Sequence, residues 1–117
     1  MQKIKLMTDY NCHPLWWYDS EKVGNINPEM LPLSPEIIAR LHAFAEAKDA
    51  RLDWDYPPNT PPLTAAEIEM IEQEGVSLWE QLKSELQSEY EVVYFSQKLL
   101  RVIHSPSELM PKELVSV

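Results

Sequence analysis

The sequence predicts an α+β domain: a small, mostly antiparallel sheet, made from an N-terminal strand and a C-terminal hairpin, with two helices packed on one face. Three observations carry this expectation. The chain opens with the alternating run KIKLM (3–7) and nears its end with two strand-like runs, YEVVYF (90–95) and KLLRVIH (98–104). Two apolar stripes of helical period, each preceded by a capping residue, fill the middle. Strands at both ends and helices between them are the α+β pattern.

The elements follow in order. In KIKLM the alternation turns Ile4 and Leu6 to one face. PLWWY (14–18) offers a second short strand, and the polar stretch after it reads as loop with a turn near Gly24-Asn25. Ser34 is placed to cap the first helix, and Pro35 falls at the first helical position, where its missing N–H costs nothing. Leu33 and Ile38 flank that cap as a hydrophobic staple. Ile37, Ile38, Leu41, Phe44 and Ala45 then recur at helical spacing to about Asp49. The proline pairs at 57–58 and 61–62 exclude helix from the loop that follows. Thr64 and Glu67 form a capping box for the second helix. Its stripe runs through Ile68, Ile71, Leu78, Trp79, Leu82 and Leu86, with Gly75 inside it as either a close approach or a break. The strand 90–95 and the strand 98–104 are separated only by Ser96-Gln97, which predicts a tight hairpin. The N-terminal strand is expected to join it, because an isolated hairpin is marginal.

A chain of 117 residues is expected to be a single domain, 1–117, with about 105–117 as a short helical turn or a loosely packed tail. No signal peptide and no membrane-spanning run is read from the sequence, and a lone cysteine fits a reducing cytoplasm. Nineteen acidic against ten basic residues give a net charge of −9. That balance argues against nucleic-acid binding through phosphates and against an anionic membrane surface. It suits solubility, and equally a basic protein partner. Two glycines leave no phosphate-cradling loop.

Catalytic and metal chemistry find little support. Cys12 and His13 are adjacent, and His42 and His104 lie elsewhere, which is not the paired spacing of a zinc site. A Cys12 nucleophile would need a base brought to it by the fold. Asp53 and Asp55 flank Trp54 and could share a site as an acid/base pair, but no third group accompanies them, and aspartates in a turn accept backbone N–H bonds as a rule. Neither a catalytic residue, a metal nor a cofactor is assigned.

Two features point to a binding surface instead. Between residues 64 and 91 there are eight glutamates, Glu69 and Glu72 among them, against Lys83 alone. So one-sided a helix is either a solvated face or a ligand for a basic surface. The run DYNCHPLWWYD (9–19) crowds Tyr10, Trp16, Trp17 and Tyr18 between Asp9 and Asp19. A strand cannot turn three consecutive rings to one face, so part of this cluster covers the core and part looks outward. Trp54 and Tyr56, between Asp53, Asp55 and two prolines, repeat the theme. Asp9, Tyr10, Trp16, Trp17, Asp19, Asp53, Trp54, Asp55, Tyr56, Glu69 and Glu72 are therefore the candidate partner-binding residues.

LMTDYNCHPLWW, followed by VGNINPEMLPLSPEIIARLHAFAEAKDARLDWDYPP, resembles a family of small acidic bacterial proteins. Its members share a D-Y-x-C-x-P-L-W element, a GNI-P-LPLS approach to the first helix and an LDWDDPP-like loop. The resemblance covers roughly residues 4–95 and departs at DWDYPPNTPP, where family members carry a shorter, more acidic loop. Some members resemble immunity proteins encoded beside polymorphic or contact-dependent inhibition toxins. The resemblance implies a cytoplasmic, non-enzymatic protein that binds and blocks a cognate, basic, nuclease-like toxin domain. Two other readings stay open: a small-molecule-binding domain or small enzyme with a pocket at 9–19 and 53–57, and a homo-oligomerising structural domain.

Overall fold

The computed structural model describes residues 2–52 and 54–109. Among these residues, five strands form one sheet in the order β3-β2-β1-β4-β5: β1 (Gln2–Leu6), β2 (Leu15–Trp17), β3 (Asn25–Ile26), β4 (Tyr90–Ser96) and β5 (Arg101–Ile103). β1 is central. It pairs antiparallel with β2 and parallel with β4, while β2–β3 and β4–β5 are antiparallel. The parallel pair needs a long crossover. The segment between β1 and β4 supplies it, with α1 (Pro35–Asp49) and α2 (Ala65–Leu86) inside it.

The register puts alternate residues on the helix side. Ile4, Leu6, Leu15, Ile26, Val92, Tyr94 and Ile103 share one core with Ile37, Leu41 and Phe44 of α1 and Leu78, Trp79, Leu82 and Leu86 of α2. Each large apolar side chain fully buried there contributes roughly 1.5–3 kcal/mol. Trp79 is fully buried because its indole N–H donates to Val92 O (2.8 Å) and its ring stacks on Tyr94 at 5.5 Å.

Both helix starts form as their sequences require. Ser34 Oγ accepts from Ile37 N, and the Thr64–Glu67 capping box is closed in both directions. Leu33 and Ile38 both pack against the core. Gly75 does not break α2; it lies buried against Tyr94, so the close approach is its role.

Two expectations need correcting. The hairpin turn spans residues 97–100, not Ser96-Gln97, and β5 is only three residues long. Leu100 takes a positive φ of 55°, its N–H donates to Ser96 O (2.7 Å), and Ser96 Oγ accepts from Leu99 N, so the chain reverses over four residues. The stretch after β2 is not all loop. Asn25 donates from Nδ2 to His13 O (2.7 Å) and Leu15 O (2.9 Å) and accepts from His13 N, which pins β3 against β2. Beyond β5, Pro106–Leu109 forms a helical turn, as one of the two readings of the tail expects, and 110–117 lie outside the described residues. Among the described residues no helix is long and apolar enough to cross a membrane.

Carboxylates tie the loops down, and this sets a pH dependence. The Ser34 backbone N–H bond, supported by Gln81 and the Ser34 hydroxyl, holds Glu85 below its ordinary 4.5. Arg101, with the His104 and Ser105 amides, holds Glu108 at about 2. Both groups favour the fold when ionised, so their contribution is complete above about pH 4.5 and is lost as pH falls toward 2. Tyr94 behaves oppositely: burial, then Glu72, pushes its phenol above 10, so stability falls as pH rises past 10. Urea titrations across pH should show a plateau between these flanks. In Glu85→Gln the acid flank should be shallower.

Candidate functional site

α1 and α2 run antiparallel, held by polar contacts along their length. Ser34 binds Glu85 (2.8 and 3.0 Å), Arg40 binds Glu74 (2.5 Å) and Ser77 (3.1 Å), and Arg51 pairs with Glu67. Between residues 40–48 of α1 and 67–74 of α2 lies a gap. The gap is a cleft of about 780 Å³, open to solvent. It lies beyond the C-terminal ends of the parallel pair β1 and β4, where Thr8 and Gln97 line it. Phe44, Ile71 and the exposed Met70 contribute to its apolar lining, together with Pro61, Pro62 and Leu63.

The ion pairs explain the acidic helix. Sequence spacing finds α2 nearly without partners for its glutamates, but the cations come from other elements: Arg40 to Glu74, Arg51 to Glu67, and Lys98 to Glu69 at 3.3 Å. Arg40 and Arg51 thus bridge the cleft, one from each end. Lys48, also lining it, places its ammonium 4.7 Å from the centre of the Tyr10 ring.

The structure gathers some of the expected partner-binding residues and separates others. Tyr10 lines the cleft, with exposed Asp9 beside it. Asp49, the last residue of α1, accepts from Asn11 N (2.7 Å) through its carboxylate and from Trp54 Nε1 (3.0 Å) through its carbonyl. This draws the 54–56 loop to the same end, where Trp54 is 59% and Tyr56 64% exposed and Asp55 is exposed beside them. Glu69 does not line the cleft; it is paired with Lys98 at 3.3 Å. Asp53 lies outside the described residues.

Trp16, Trp17 and Asp19 belong elsewhere. Trp16 is on the sheet face away from the helices, its indole donating to Met7 O (2.9 Å). Trp17 packs against the core edge with Tyr90, under the Lys22 ammonium at 4.6 Å. Asp19 pairs with Lys3 at 3.6 Å.

Glu72 requires a correction. It is not on a solvated face but 4% exposed, accepting from Tyr94 Oη (2.6 Å), Ser96 Oγ (2.7 Å) and Gln97 N (2.8 Å). A buried carboxylate with three donors is a structural strut and offers nothing to a partner.

Sequence reasoning did not find the cleft. Its clearest trace is the pair Ala43 and Ala47, small residues one turn apart on an otherwise amphipathic helix, both lining it. Among the described residues, the pocket expected at 9–19 and 53–57 coincides with it only at Tyr10. Cys12 is half-buried, and the His13 and His42 rings lie 6.1 Å apart with Glu29 3.6 Å from His42 Nε2. Among the described residues no three His, Cys, Asp or Glu side chains gather as a metal site.

No curated protein matches the chain. The model of the family described as Serratia CdiI immunity protein-like matches residues 2–97. That span runs from the first residue of β1 to just past the end of β4 and holds both helices, the central parallel pair and every described cleft residue. On that match the chain belongs to the Serratia CdiI immunity protein-like family.

Proposed function

We propose that this chain is the immunity protein of a contact-dependent inhibition system, which binds its cognate toxin domain in the cytoplasm and blocks it without chemistry of its own. Family membership supports the immunity role. The observation that carries the contact surface is the exposed pair Trp54 and Tyr56 in the loop after α1, with exposed Asp55 between them. Trp54 is held by its bond to Asp49 O, so a large ring is presented with little ordering cost on binding. A net charge of −9 would attract a basic, nuclease-like toxin and speed encounter at low salt. Occupying the toxin's own basic cleft then excludes its substrate.

In cells expressing the toxin domain encoded beside this chain's gene, the wild-type chain should restore growth. Trp54→Ala should weaken toxin binding at least tenfold, about 1.4 kcal/mol or more, with an unchanged unfolding midpoint. A Trp54→Ala chain that binds as tightly as wild type would remove this loop from the contact surface.

A further inference from the structure

We propose that the cleft between α1 and α2 is a small-molecule site that takes an amphipathic carboxylate, with one anionic head and a medium-length apolar chain. The inference goes beyond the immunity reading and is independent of it.

Three observations carry it. The first is position. In the order β3-β2-β1-β4-β5 the chain leaves β1 toward β2 and leaves its parallel neighbour β4 toward β5, in opposite directions along the sheet. An open sheet forms its ligand crevice beyond the carboxyl ends of strands whose connections part in this way. The cleft lies there. Thr8 and Tyr10, from the connection after β1, and Gln97, from the turn after β4, all line it.

The second is charge. Arg40, Lys48 and Arg51 line the cleft against Glu67 and Glu74. Three cations to two carboxylates leave it one positive charge, on a chain of net −9. Both glutamates are taken by the arginines. Lys48 makes no ion pair among the described residues; its ammonium stands over the Tyr10 ring, which leaves its charge uncompensated. No side-chain hydrogen bond among the described residues occupies the Tyr10 phenol or the Gln97 amide, whose backbone N–H groups alone donate, to Asp9 and Glu72. A carboxylate entering an apolar cleft needs a cation and hydrogen-bond donors in place of water. Lys48 and Tyr10 supply them side by side.

The third is size. About 780 Å³ suits a small molecule, and Ala43, Phe44, Ala47, Met70 and Ile71 line it with carbon. From Lys48 to Arg40 the cleft follows eight residues of α1, about 12 Å at 1.5 Å per residue. That is less than the roughly 15 Å acyl depth of one bilayer leaflet. A chain such as that of decanoate therefore fits with its head at Lys48, and a membrane lipid's does not.

The test is calorimetric titration of the free, full chain with decanoate, and with decyltrimethylammonium as a cation of the same chain length. The wild type should bind decanoate with a Kd below about 1 mM. It should bind the cation at least tenfold more weakly, although the net charge favours the cation. Lys48→Gln should weaken decanoate binding at least fivefold. Lys22→Gln, which removes an ammonium from over the Trp17 ring outside the cleft, should bind within twofold of wild type. Ala47→Trp fills the cleft from an exposed helix position and should abolish binding. Thermal melts check that each variant folds.

No saturable binding of decanoate, equal binding of the cation, or decanoate binding by folded Lys48→Gln or Ala47→Trp within twofold of wild type would each overturn the inference. None of these results bears on toxin binding, so the immunity reading stands or falls separately.

Discussion

Gly75→Ala is expected to lower stability by about 2–3 kcal/mol, although helix propensity alone predicts a gain of about 1 kcal/mol. Gly75 sits mid-helix with ordinary helical geometry, so the added methyl is locally welcome. The opposition comes from across the core. A Cβ there would overlap Tyr94 Oη and lie 2.7 Å from Cζ and 2.8 Å from Cε1. Tyr94 is 1% exposed, stacked on Trp79 and bonded to Glu72, so its ring cannot move aside cheaply. For a chain of this length the unfolding midpoint should fall by roughly 10 °C. Tyr94→Phe in the Gly75→Ala background should recover part of the loss, since it removes the nearest atom but leaves Cζ in place. A midpoint that rises in Gly75→Ala would show that the packing of α2 on β4 is looser than described.

Glu72→Ala is expected to cost about 3–4 kcal/mol, the largest single effect among the acidic residues. It strands the Tyr94 hydroxyl, the Ser96 hydroxyl and the Gln97 amide, and a buried donor left unpaired costs about 1–3 kcal/mol. Glu72→Gln keeps an acceptor for Tyr94 and Gln97, and its amide can donate to Ser96 Oγ, so about 1 kcal/mol is expected. Glu69→Gln, one turn away, removes only an exposed pair with Lys98 and should stay within about 0.5 kcal/mol. Chemical denaturation of the three variants measures the ordering directly. Equal effects at positions 69 and 72 would contradict the buried strut.

The contrast between Glu69 and Glu72 shows where sequence reading stops. Eight glutamates between residues 64 and 91 look alike in one dimension. Which of them is buried depends on Tyr94 and Ser96, more than 20 residues away on β4. The helix starts were legible because their determinants are local: Ser34 before Pro35, and Thr64 three residues before Glu67. β1 and β4 were legible because Ile4, Leu6, Val92 and Tyr94 share a two-residue period. β3 was not, because two residues show no period and Asn25 holds its place through side-chain bonds. The four-residue turn after β4 was hidden for a similar reason, since nothing local marks Leu100 for a positive φ.

The same division applies to the candidate site. Aromatics among acids could be read at half-buried Tyr10 and at exposed Trp54 and Tyr56. The cleft that Tyr10 lines could not, because it is bounded by long-range pairs, Arg40 with Glu74 and Arg51 with Glu67. Nor could the departure of Trp16, Trp17 and Asp19 to other faces, which follows from the pairing of β2 with β1.

The central claim is that this chain binds and blocks a toxin domain. The most direct measurement is the activity of the purified neighbouring-gene toxin domain, titrated with the purified chain at low and at moderate salt. The account predicts complete inhibition at one chain per toxin at both salts, with association slower at the higher salt. Undiminished toxin activity at a several-fold excess of folded chain would contradict it.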